Sequence, residues 1–185
     1  RVALSHSGAF ALGTGTNYML LPLDHIAIGV LTNGSPVGAA ESVSRTFMDM
    51  VEFGKPERDW YAAYAPLFAP MIAPVGELVG KQPPSDPSGP GMDDQLLGTF
   101  ESPYFGPIEI ADGGEGLVVK LGPEPMTYAL THWDGRTYVL EPRDENHPDG
   151  SVSKLTFAPA APRERATSVT IEFLDGNGLG TFTRD

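Results

Sequence analysis

Leu4-Ser5-His6-Ser7-Gly8-Ala9-Phe10 lies in an extended run from Val2 to Phe10 that reads as a strand. It puts two serines, a histidine and a glycine on what should be a buried element. Gly13 and Gly15 break the run. A second apolar run, Tyr18-Met19-Leu20-Leu21, stops at Pro22, and a third spans Ile26 to Leu31 before Thr32-Asn33-Gly34. Pro22-Leu23-Asp24-His25 between them is short enough for a hairpin connection. The three runs predict an antiparallel meander. The third is apolar at nearly every position, which reads as a central strand covered on both faces.

Downstream, Ser35 offers an N-cap and Pro36 suits the first helical position. Ala40, Val43, Phe47 and Met50-Val51 recur at helical spacing, with Glu41, Arg45 and Asp49 between them, so an amphipathic helix is expected on the sheet, ending near Gly54. A sheet and one helix of about 50 residues bury too little to stand alone. Residues 1–54 therefore need a partner, either a preceding segment or the domain that follows.

Residues 55–95 read as a bridge. Asp59 can cap a short helix through Trp60, Tyr61, Tyr64, Leu67 and Phe68, interrupted or kinked by Pro66 and Pro70. Lys81-Gln82-Pro83-Pro84-Ser85-Asp86-Pro87-Ser88-Gly89-Pro90-Gly91 has the composition of a linker, and the domain boundary is expected there.

Residues 96–185 hold eight short strand-like runs: 96–102, 105–111, 116–121, 126–133, 137–141, 152–157, 168–174 and 179–183. Ile108 and Ile110 share a face, as do Leu117, Val119 and Leu121, and Val169, Ile171 and Phe173. Asp134-Gly135 is a two-residue hairpin signal. Eight antiparallel strands with tight turns predict a small closed or nearly closed barrel, with a β-sandwich as the other solution. Phe100, Phe105, Tyr128, Trp133, Tyr138, Phe157 and Phe173 read as inward-facing core.

Composition narrows the function. The 185 residues carry a formal net charge of -12, with 41% apolar and 19% charged residues, 22 glycines, 18 prolines and no cysteine. That is a globular chain that repels nucleic acid and anionic membrane and forms no disulfide framework. No apolar run reaches membrane-spanning length and no signal peptide is visible. Opening in strand-like sequence at Arg1, it reads as a piece of a longer protein.

His6 is the first candidate for chemistry. It could be an edge-strand histidine satisfied by a neighbour, or an imidazole that donates a hydrogen bond or assists proton transfer near neutral pH. Ser7 could bond substrate, Gly8 would permit close backbone approach, and the Ala9 N–H could point at a developing oxyanion. No serine here has a visible base and orienting acid, so a self-contained triad is unsupported. His25 reads as a turn residue and His132 as strand packing. His147, with Asp144, Glu145 and Asp149, forms a solvated acidic loop without metal-site spacing. No cofactor or metal is implied.

Together, Ser5 to Phe10, the Gly-rich turn, Asn17 to Pro22, Ile26 to Gly34 and the following helix resemble the C-terminal end of the serine β-lactamase-like family. That family includes class C β-lactamases, D-alanyl-D-alanine carboxypeptidases, D-aminopeptidases and esterases. Its third motif is Lys-Thr-Gly or His-x-Gly on a sheet strand, and His6-Ser7-Gly8 matches the second form. The resemblance puts His6 at the position of the motif's lysine or histidine and Ala9 at an oxyanion-hole N–H. Leu97 to Gly106, the Leu130 to Tyr138 hairpin and the terminal strands resemble the lipocalin-like accessory domain of such hydrolases, implicated there in covering the cleft or in homo-oligomer assembly.

The implied fold is an α+β piece, the last strands and C-terminal helix of a β-lactamase-like domain, followed by an eight-stranded lipocalin-like barrel. In the family the Ser-x-x-Lys and Tyr-x-Asn motifs lie upstream of the third motif, and no residues ahead of His6 in this sequence carry them. The resemblance therefore implies a partner segment that carries them, as a second chain or a preceding piece, a small acyl or peptide substrate, and inactivity of this chain alone. Many such enzymes are exported, so it also points to the periplasm or the exterior. A different class of function, a non-enzymatic ligand-binding or assembly module, would rest on the barrel.

Overall fold

The computed structural model describes residues 2–161 and 163–184. The reading of Arg1 as a start within the fold lies outside the described residues, as do Pro162 and Asp185. The chain divides into two compact units, Arg1–Ala73 with Arg143–Asp149, and Pro74–Pro142 with Gly150–Asp185.

In the first unit, β1 (Leu4–Phe10), β2 (Thr14–Leu21) and β3 (Ile26–Thr32) form an antiparallel sheet in that order. The β2–β3 connection is a single 3-10 turn, Pro22–Asp24, closed by His25 in the left-handed region at φ 54°. Two helices follow, α1 (Ala39–Phe53) and α2 (Trp60–Phe68). Alternation sorts β2 into two faces. Gly15, Asn17, Met19 and Leu21 are buried, whereas Tyr18 is exposed. The core is small: Met19, Leu21 and Met48, flanked by Ile28 and Val51.

Three expectations are corrected here. The central strand is β2, not β3; β3 has one open face, with Ala27, Gly29 and Leu31 exposed, because helices cover the sheet on one side only. Likewise β1, expected to be buried, is exposed from Leu4 to Ser7. The first helix starts at Ala39, after Gly38 in a left-handed conformation at φ 80°, rather than at Ser35-Pro36. Its buried face is Ala40, Glu41, Ser42, Ser44, Met48 and Asp49, while Val43, Phe47 and Met50 point outward. Gly38 is needed where α2 approaches: a Cβ there would stand 2.8 Å from the Cβ of Tyr64.

The second helix follows the expected cap, Asp59 accepting from the Ala62 N–H at 2.9 Å. The turn between the helices is held by buried Asp49, whose Oδ2 accepts from the Trp60 indole N–H at 2.6 Å and the Glu57 N–H at 2.9 Å. Asp49→Ala leaves both donors without that acceptor. It should cost about 1–3 kcal/mol, read as a lower denaturation midpoint, and Asp49→Asn should recover part of it.

The second unit is a nine-stranded antiparallel sheet: β4 (Gly98–Ser102), β5 (Gly106–Asp112), β6 (Leu117–Leu121), β7 (Met126–Ala129), β8 (Thr131–Asp134), β9 (Thr137–Leu140), β10 (Ser153–Ala158), β11 (Ser168–Ile171) and β12 (Thr181–Arg184). The order is β7-β6-β5-β4-β12-β11-β10-β9-β8. The expected eight strands become nine because the run 126–133 breaks at Leu130. Its first half pairs with β6 and its second half with β9, which draws the two ends of the sheet together into a nearly closed barrel. The Leu130 N–H still bonds the Leu117 carbonyl, at 2.8 Å. The β8–β9 register pairs Asp134 with Thr137, so the hairpin loop is Gly135-Arg136, one residue later than expected.

The barrel interior is filled. Phe100 opposes Ile108, Val119 opposes Tyr128, Leu155 opposes both Tyr138 and Ile171, and Val169 opposes both Phe157 and Phe182. These residues form one buried cluster. Phe105 and Trp133 depart from the expected inward set: Phe105 is 37% exposed and lies against Phe182 and Tyr104, and Trp133 is half-buried outside the core cluster. The Pro/Gly-rich stretch is tied to the barrel wall, with the Gly135 N–H bonding the Ser88 carbonyl and the Ser88 N–H bonding the Asp134 carboxylate.

Burial pushes the Tyr138 hydroxyl from its ordinary value up to about 12, and the Asp93 carboxylate adds to the shift. The folded state thus holds this proton more tightly than the unfolded chain. Its contribution to stability is fully present below pH ~10 and falls as pH rises from ~10 towards ~12. Ultraviolet titration of tyrosinate, compared between the wild type and Tyr138→Phe, should show one hydroxyl ionising late and only when the barrel opens.

Candidate active-site strand

The candidate residues His6, Ser7, Gly8 and Ala9 all lie on β1, which among the described residues is an edge strand paired with β2 alone. His6 opposes Tyr18, and the two rings stack with centroids 6.0 Å apart. Both are exposed on the sheet face not covered by helices. Ser7 opposes Asn17 and takes a hydrogen bond from its Nδ2 at 2.9 Å on the opposite face. Alternation therefore separates the two side chains: one reacting centre beside the sheet meets His6 or Ser7 squarely, not both, unless it sits at the strand's edge.

The backbone does meet at that edge. The carbonyls of His6, Gly8 and Phe10 all receive donors from the β2 side: Asn17 Nδ2 at 3.3 Å, Thr16 Oγ1 at 3.2 Å and the Gly13 N–H at 3.1 Å. In an antiparallel strand successive residues direct their N–H and C=O groups to opposite sides. The N–H groups of Ser7 and Ala9 therefore face the free edge. Ala11 continues the series, and its N–H bonds the Glu145 carbonyl at 3.0 Å. Gly8 is tightly framed, since a Cβ there would come within 3.1 Å of Thr16 Oγ1.

The remaining histidines stand apart. His25 closes the β2–β3 turn. The His132 ring lies 2.9 Å from the Gly135 carbonyl and packs edge-on against Tyr138. His147 pairs with Asp144 at 2.7 Å in the 143–149 loop. Among the described residues no three His, Cys, Asp or Glu side chains are grouped to hold a metal ion, and no helix is long and apolar enough to cross a membrane. Sequence reading passed over Asn17, whose amide joins Ser7 to β2. The available signal was a polar residue on the buried parity of β2, between Gly15 and Met19.

Residues 86–180 match the family model described as a domain of unknown function, DUF3471. The crystal structure of the C-terminal domain of penicillin binding protein Rv0907 is 37% identical, with TM-score 0.50, over 57% of this chain and 97% of that one. SurE with D-Leu and SurE alone are 15% and 18% identical with TM-score 0.39, too distant to carry an argument, and this chain spans 35% and 34% of their length. Among curated proteins none matches. A family model covering just over half of the chain, and a 37% identical domain matched almost end to end, show that the chain belongs to the DUF3471 family and is similar in that part to the C-terminal domain of a penicillin-binding protein.

Proposed function

We propose that this chain is the C-terminal part of an exported serine hydrolase that cleaves amide, peptide or ester bonds through an acyl-enzyme. The observation that carries the reading is the His6-Ser7-Gly8-Ala9 edge strand, with the Ala9 N–H turned to the free edge. There it can donate to the oxygen that becomes negative when a carbonyl is attacked. His6 on the uncovered face would donate a hydrogen bond or assist proton transfer to the leaving group. The nucleophilic serine, its lysine and the Tyr-x-Asn motif would come from a preceding segment, which makes the acyl-enzyme.

Two further observations support the reading. The matched relative is a domain of a penicillin-binding protein. The first unit also exposes apolar residues on both sides of its sheet, Val43, Phe47 and Met50 on α1 and Leu4, Tyr18 and Leu31 on the open face, as a piece of a larger fold would. The filled barrel interior favours an accessory role for the second unit over capture of a ligand inside it.

The test is acylation of the complete protein by a fluorescent penicillin and by a fluorophosphonate, followed by mass mapping. One adduct on the serine of a Ser-x-x-Lys motif outside these 185 residues is expected. No adduct with either reagent, or an adduct on any serine within these 185 residues, Ser5, Ser7 and Ser151 included, would overturn the proposal.

A further inference from the structure

The helix-covered side of the first unit's sheet holds a cavity of about 450 Å³, lined by Ser5, Asn17, Glu41, Arg45, Tyr64 and Phe68 among others. Two of its lining residues are almost wholly buried: Asn17 is 7% exposed and Glu41 8%. The Asn17 amide orientation is set by its neighbours. Its Nδ2 donates to the His6 carbonyl, which can only accept, so Oδ1 must be the other atom. Among the described residues that Oδ1 has no hydrogen-bond partner. Glu41 makes no ion pair or hydrogen bond among the described residues. Arg45, one helical turn on, is engaged elsewhere. Its guanidinium lies 5.0 Å over the Trp60 ring, which Arg58 also approaches at 5.0 Å.

An amide oxygen buried without a donor is costly, since buried polar groups in folded proteins are nearly always satisfied, and Glu41 adds a negative charge without an ion pair among the described residues. A cation with several N–H groups would satisfy both. The guanidinium matches best: its planar fork suits the carboxylate, a further N–H can reach an amide oxygen, and its face stacks on aromatic rings such as Tyr64 and Phe68. The chain's net charge of -12 favours arrival of a cation. We propose that this cavity binds a guanidinium group, carried either by a small compound or by an arginine side chain. The cavity lies on the sheet face opposite His6 and shares Ser7 with the candidate strand, but the proposal rests on Asn17 and Glu41 and not on the hydrolase reading.

The experiment is amide NMR of the complete protein, isotope-labelled, titrated with agmatine and, separately, with N-acetyl-arginine amide. Saturable shifts of the Asn17 side-chain amide and the Ser5 and Arg45 backbone amides are expected, with binding weakened about tenfold or more in Glu41→Gln, since a charged partner is lost. Ser5→Leu, at an exposed β1 position, keeps both acceptors but obstructs the cavity, and should weaken binding similarly even if Glu41→Gln fails to fold. Tighter binding of agmatine assigns the small compound, and tighter binding of the arginine amide assigns the side chain. Shifts that never saturate, or affinities unchanged in Ser5→Leu, would overturn the proposal.

Discussion

Arg136→Met should destabilise the barrel by about 3–5 kcal/mol, since several hydrogen bonds from one charged group are lost together. Arg136 is 3% exposed. Its Nε donates to the Pro90 carbonyl at 3.3 Å, Nη1 to the Pro159 carbonyl at 2.9 Å, and Nη2 to Gln95 Oε1 at 3.1 Å and to the Glu164 carbonyl. One fork thus gathers the Pro/Gly-rich stretch, the turn before β4 and the long loop between β10 and β11. Methionine keeps much of the stem's volume but removes every donor, leaving up to four acceptors to find water or stay unpaired. With a urea dependence of about 2 kcal/mol per molar, the midpoint should fall by roughly 1.5–2.5 M, followed by the fluorescence of nearby Trp133. Arg136→Lys should recover only part of the loss, because a single ammonium cannot span acceptors arranged for a planar fork. An unchanged midpoint in Arg136→Met would show that water replaces the guanidinium without cost.

His6→Ala in the complete protein should lower kcat by about 10²–10⁴-fold, the range for losing a positioned proton donor or acceptor. Stability should hardly change, because His6 is exposed and touches chiefly the Tyr18 ring. That combination separates a role in the reaction from a structural one. His6→Lys, which restores the other form of the motif, should regain a substantial part of kcat with a pH profile displaced upward, since an ammonium titrates well above an imidazole. Equal kcat and KM in wild type and His6→Ala would remove His6 from the site and leave the edge N–H groups as the strand's contribution. A thermal midpoint lowered in step with activity would instead place His6 in the packing of the sheet.

Much of the architecture was legible residue by residue. Period-two alternation in Leu117-Val118-Val119-Lys120-Leu121 and in Ser168 to Ile171 names the inward rows of the barrel, because a strand has only two faces and one of them must be dry. Asp59 announces the start of α2 because its carboxylate can satisfy an N–H left unpaired at a helix start. The edge strand at His6 stood out because serine, histidine and glycine have no packing reason to follow one another there.

The helix α1 was misread for a physical reason. Its apolar stripe through Val43, Phe47 and Met50 is real, but in this unit the sheet meets the other side, where Ala40, Ser44 and Met48 allow close packing. Local periodicity therefore determined that strands and helices would form and, apart from the start of α1 and the break at Leu130, roughly where their turns fall. Which face of α1 is dry, how the run through Leu130 closes the sheet onto β6 and β9, and where Arg136, Asn17 and Glu41 are buried were decided only by the tertiary structure. Each depends on residues tens of positions away in the chain, and no local pattern carries the loop closures and pairings that bring those residues together.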